Sequence, residues 1–138
     1  MGSWGYKTFE DDTTCDWLYD LYEAEDPHSF LLSSLNPGQS DGFLDDLDCS
    51  KVLGAAETVF SLLFQVRDNP PEEFKEWIQK NQDLPVNDLK SNCIHSLKRV
   101  LSEDSELNNI WSDSGEDYRN WKNNIQMMID AFDPNPLL

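Results

Sequence analysis

A chain of 138 residues with 38% apolar and 12% aromatic side chains can bury a core, and that aromatic content excludes a disordered chain. Its net charge of -17 and isoelectric point near 4.1 set it against nucleic acid and anionic membranes, and toward basic partners or cations. The charge is uneven: residues 1–69 hold 14 acids and 3 bases, a net -11, and residues 70–138 hold 13 acids and 7 bases, a net -6.

In chain order, Trp4 stands between Ser3 and Gly5, where a helix is disfavoured. Its indole is expected to fold back and clip residues 1–12 onto the body, in preference to serving as an exposed anchor for a partner. Any strand is expected only between Trp4 and Phe9 or near Phe43. Thr13, with Asp16 three residues later, resembles a capping box and predicts a helix start before DWLYDLYEAE. Asp26-Pro27 predicts a second start, a cap followed by proline at the first helical position. That helix runs through Phe30, Leu31 and Leu32 and ends near Asn36-Pro37-Gly38, and NPGQSDG reads as a loop.

Leu47 to Val66 is nearly apolar, with Val52, Leu53, Ala56, Val59, Phe60 and Leu63 at helical spacing. A helix apolar on most sides is the expected centre of a fold. Asn69-Pro70-Pro71-Glu72 predicts the next start, with Asn69 as cap and the prolines in the first turn, and with Phe74, Trp77 and Ile78 facing inward until Asp83-Leu84-Pro85. A helix over about Val86 to Leu101 lines up Leu89, Cys93, Leu97, Val100 and Leu101. SEDSELNNIW adds a short helical piece or turn. From Asp113 or Ser114 a last helix carries Tyr118, Trp121, Ile125, Met128, Ile129 and Phe132 inward, and residues 133–138 form a short tail. These elements predict one mainly α domain over 1–138, a bundle of five to six helices around the central one with little or no β.

Cys15, Cys49 and Cys93 are an odd number without a close pair, which predicts free thiols in a reducing compartment. No basic n-region precedes an apolar stretch, and the longest apolar run is far short of the ~20 residues that span a bilayer. The expected location is the cytoplasm. No phosphate-cradling glycine loop, GxSxG, HExxH or CxxC is present. Gly42 and Gly115 fail as calcium-loop glycines, because Pro37 and Ile110 fall where the first aspartate belongs. A looser divalent site could use Asp41, Asp45, Asp46 and Asp48. Cys93 and His95 are two apart and point to different helix faces, so Cys93 reads as core. No cofactor is implied.

Asp12, Asp16 and Asp20 lie four apart, on one helical face, where like charges cost a few tenths of a kcal/mol each. A solvated outer face explains them, and so does a surface for a basic partner.

One resemblance extends over nearly the whole chain. Met1-Gly2-Ser3-Trp4-Gly5, Phe9, Asp11-Asp12 and Asp16-Trp17, then LGAAETVFSLL, Leu84-Pro85, SELNNIWSDSG and Trp121, resemble the bacterial family called domain of unknown function 4259. The resemblance implies a small soluble protein and carries no catalytic residues. It also implies that Trp-Gly, Phe and Asp-Trp form one structural unit, in agreement with the clip.

The expected function is that of an immunity or antitoxin-like module whose acidic N-terminal surface neutralises a basic protein such as a nuclease toxin. Asp12, Asp16, Asp20, Glu23, Asp45, Asp46 and Asp48 are its expected contact residues, and no nucleic acid or membrane is a partner. The expected assembly is a monomer or weak dimer. The rival readings are a small metal-dependent enzyme and an inhibitor that mimics DNA with rows of carboxylates.

Overall fold

A computed structural model describes residues 5–39 and 42–133. Trp4, Asp41 and residues 134–138 lie outside the described residues, and with them the clip-or-anchor question, one ligand of the looser divalent site and most of the short tail.

The first helix, α1, spans Asp12–Glu23. Its N-cap is Asp11, whose carboxylate accepts from the Thr14 backbone N–H at 3.0 Å and the Thr14 hydroxyl at 2.9 Å. The start expected at Thr13 therefore falls two residues earlier. Asp caps as well as Thr, and this register turns Trp17, Leu18 and Leu21 inward. Helix α2, Pro27–Leu35, begins as the sequence predicts, with Asp26 accepting from Ser29 N–H and Pro27 in the first turn. It runs directly into a 3-10 turn over Asn36–Gln39, so the first half of the expected loop is helical.

Helix α3, Asp46–Leu63, is capped by Asp45 and is the expected centre. Val52, Ala55, Ala56, Thr58 and Val59 are all fully buried. Gly54 lets the Trp17 ring lie against its backbone; a Cβ there would sit 2.7 Å from Trp17 Cε3. Helix α4, Glu72–Lys80, has Pro71 as N-cap and no side-chain cap, which corrects the role expected of Asn69. Pro71 holds φ -55 and ψ 145, an extended conformation that delays the helix to Glu72. Phe74 and Ile78 are buried, while Trp77 is only half-buried at the rim of the core.

A 3-10 turn over Asn87–Leu89 leads into α5, Lys90–Val100. Cys93, Leu97 and Val100 are buried there, and His95 is exposed. The SELNNIW segment forms α6, Glu106–Trp111, which raises the helices from the expected five or six to seven among the described residues. Helix α7, Glu116–Phe132, starts two or three residues later than expected because Gly115, at φ +58, makes the turn into it.

Among the described residues there is no strand. The nearest approaches are isolated bridge residues: Asp11 is one, and Leu44 and Ser105 form a parallel bridge in which Leu44 N–H donates to Asp104 O and Glu106 N–H to Leu44 O. Helix α3 packs against α1, α2, α5, α6 and α7, and α5 packs against α7. Among the described residues no helix is long and apolar enough to cross a membrane.

Candidate functional site

Helix starts explain where many of the acids sit. An N-terminus presents unsatisfied N–H groups and the positive end of the helix dipole, so carboxylates are stabilised there. Asp11, Asp26 and Asp45 are N-caps, and Asp12, Asp46, Asp48 and Glu106 lie in first turns. The fold then brings three such starts together. The Glu106 carboxylate accepts from Asp46 N–H at 2.7 Å, tying α6 to α3. The Ser50 hydroxyl reaches Asp11 at 3.4 Å, tying α3 to α1. Burial, followed by the charges of Asp11, Glu106 and Asp45, pushes the Asp46 carboxyl above its ordinary range. Asp48 is also raised, by burial and Asp45, with Lys51 opposing.

The seven expected contact residues thus fall into two groups. Asp45, Asp46 and Asp48 serve the start of α3. Asp12, Asp16, Asp20 and Glu23 line the outer face of α1, and all four are exposed. None of these four forms an ion pair among the described residues. No Lys or Arg occurs between Lys7 and Lys51. Tyr19, 60% exposed, stands within this row of carboxylates and meets Tyr22 edge-on.

A second constellation escaped the sequence reading. Glu57 sits in the apolar α3 and is only 5% exposed. Its carboxylate accepts from Arg67 Nε at 2.7 Å and Arg67 Nη2 at 2.8 Å, and from the Thr8 hydroxyl at 2.6 Å. Arg67 also donates to the Asn124 carbonyl at 3.1 Å. Burial works against the guanidinium charge, but the hydrogen bonds and charge of Glu57 outweigh it and hold the Arg67 pKa above its usual value. A buried pair of this kind is costly to break, about 3–5 kcal/mol, because the partner left behind is charged and unsatisfied. The signal was present: a single Glu inside an otherwise apolar helix needs a cation.

This network floors a cleft of about 290 Å³, walled by Lys7, Phe9, Glu10, Cys15, Asp68 and the Pro70-Pro71 pair. Lys7 pairs with Asp68 at 3.6 Å. Asp68 holds φ +60, the left-handed turn that aims it back at the N-terminal segment. On the other side of Lys7 and Thr8 lies a void of about 20 Å³, lined by Thr14, Leu53, Leu107, Trp111, Trp121 and Asn124.

Cys15 at the cleft wall donates to Phe9 O, and burial together with the nearby aspartates raises its thiol pKa. That is the reverse of what a nucleophilic cysteine needs. Burial raises Cys49 and Cys93 as well, and all three cysteines are free. Among the described residues no group of three or more His, Cys, Asp or Glu is arranged to hold a metal ion.

A family model described as Domain of unknown function (DUF4259) matches residues 2–124. No curated protein and no solved structure matches the chain.

Proposed function

The chain belongs to the DUF4259 family, and from that premise we propose that it is an acidic protein-binding module, immunity or antitoxin-like, that neutralises a basic protein such as a nuclease toxin. The observation that carries this reading is the outer face of α1. Asp12, Asp16, Asp20 and Glu23 stand exposed on one helix face with no cation of the chain paired to them among the described residues. Like charges at this spacing destabilise an isolated helix, and a basic partner would reverse that cost. Complementary charge also accelerates encounter and rejects wrong partners. Tyr19 adds an exposed aromatic of the type that anchors protein interfaces and stacks with cations. Asp45, Asp46 and Asp48 extend the negative field from the start of α3. A cytoplasmic setting accords with the three free thiols.

The test compares the wild type with the triple variant Asp16→Lys, Asp20→Lys, Glu23→Lys, all exposed positions. Both are used as bait at low salt in extract of the native host and eluted with rising salt. The expected result is one stoichiometric basic protein, retained by the wild type and lost by the variant. With the purified pair, the association rate should fall steeply with ionic strength for the wild type and only weakly for the variant. Equal retention by both baits would overturn the reading.

A further inference from the structure

We propose that residues 5–8 are a strap that opens locally, pinned by the hydrogen bond from Thr8 to Glu57, and that its opening joins the cleft and the void into one groove. Lys7 and Thr8 line both cavities, so they are the partition between them. On one side lie Glu57, Arg67, Asp68 and the two prolines; on the other lie Trp111, Trp121 and Asn124. Removing the partition would expose a continuous surface with a charged, internally paired end and an aromatic end.

The strap has few polar ties to the body, with Tyr6 packed, partly buried, against the core as its apolar hold. Its backbone belongs to no helix or strand. The nearby bonds Glu10 N–H to Lys7 O and Lys7 N–H to the Glu10 carboxylate are internal to the N-terminal segment and do not hold it to the body. Phe9 is buried with its ring 4.8 Å from that of Phe74, and it must come away with the strap before trypsin, which grips residues on both sides of the cut bond, can cleave after Lys7. Ahead of Phe9, among the described residues, the polar ties to the body are Thr8 to Glu57 at 2.6 Å and the looser, half-exposed Lys7–Asp68 pair. Segments with few backbone bonds to their surroundings open at a small fraction of the global unfolding free energy. When Thr8 leaves, Glu57 keeps both bonds from Arg67, so the buried charge stays compensated and the rest of the fold can hold.

Lys7 makes the opening measurable, because trypsin needs the chain around its target released from the surface. The full-length protein is digested under native conditions, and cleavage after Lys7 is compared with cleavage after Lys51 inside α3. The wild type should be cut after Lys7 while Lys51 stays intact, at a rate nearly insensitive to low urea, because local opening exposes little surface. Thr8→Val, which keeps the shape and removes the donor, should speed cleavage after Lys7 roughly tenfold, the size expected for a bond to a charged acceptor. Thr8→Ser should restore the wild-type rate, and cleavage after Lys51 should not change in either variant. Cleavage after Lys7 that appears only together with cleavage after Lys51, as urea unfolds the wild type, would overturn the proposal. So would a Thr8→Val variant in which both sites accelerate equally.

Discussion

At the scale of single residues, the carboxyl of Asp46 shows how position and neighbourhood compete. The first turn of α3 favours a negative charge, yet burial and the facing Asp11, Glu106 and Asp45 win, and the carboxyl keeps its proton to a higher pH than in the unfolded chain. Between those two pH values the folded state binds more protons, so wild-type stability falls as pH rises through that interval. Above the folded pKa the whole penalty is present. Asp46→Asn escapes it. This variant should be more stable than wild type at pH 7 by about 0.5 kcal/mol, the size of a like-charge pair near the surface. The gain should vanish below the ordinary carboxylate range, where the wild-type carboxyl is neutral in both states. Urea titrations at pH 7 and pH 3 measure both limits. Asp46 itself was visible in the sequence as part of an acidic run. That Asp11 and Glu106 face it was not, because they arrive from two other helices.

At the scale of elements, the approach of α1 to α3 depends on a missing side chain. Glycine inside an exposed helix is normally a weakness, and alanine would gain about 1 kcal/mol. At Gly54 a Cβ would stand 2.7–3.0 Å from three atoms of the Trp17 ring. That ring is held in place by its N–H, which donates to the Ser34 hydroxyl at 2.9 Å, and by stacking on Phe30. The helices must therefore move apart. Gly54→Ala should be destabilised by about 1–2 kcal/mol net, overpacking outweighing the propensity gain. A shift in the denaturation midpoint to lower urea checks the sign, and a gain in stability would show that α1 can retreat without loss. The apolar periodicity of α3 and the inward position of Trp17 are legible in the sequence. The reason for Gly54 appears only when α1 lies across it.

At the scale of the whole molecule, a net charge of -17 is a self-repelling field even though many of the acids are well placed one by one. Capping places acids favourably at helix starts, but the starts of α1, α3 and α6 meet and concentrate the charge at one end. Screening should relieve this. The Debye length is about 30 Å at 0.01 M salt and about 10 Å at 0.1 M, so added salt in this range removes the long-range part of the repulsion. The melting temperature should rise by several degrees between 10 and 200 mM sodium chloride. The α1 variant Asp16→Lys, Asp20→Lys, Glu23→Lys should show a visibly smaller rise. Thermal melts at both salt concentrations test this, and a flat response in the wild type would mean that local capping already balances the field.

The mainly α fold, the central place of α3, the inward rows of α5 and α7 and the Asp26-Pro27 start are all written in the local order of residues. Each of these rests on a periodicity or a cap that acts within a few residues. The acidity of α1 was equally readable, because the chain from Asp12 to Glu23 contains no base. Tertiary structure alone decided that the seven acids divide between a helix start and an exposed face. It alone joined Thr8, Glu57, Arg67 and Asn124 into one buried network and made Lys7 and Thr8 a wall between two cavities. The bonds of that network reach up to 57 positions along the chain, and although Glu57 signals the need for a cation, no local pattern says which distant residue supplies it.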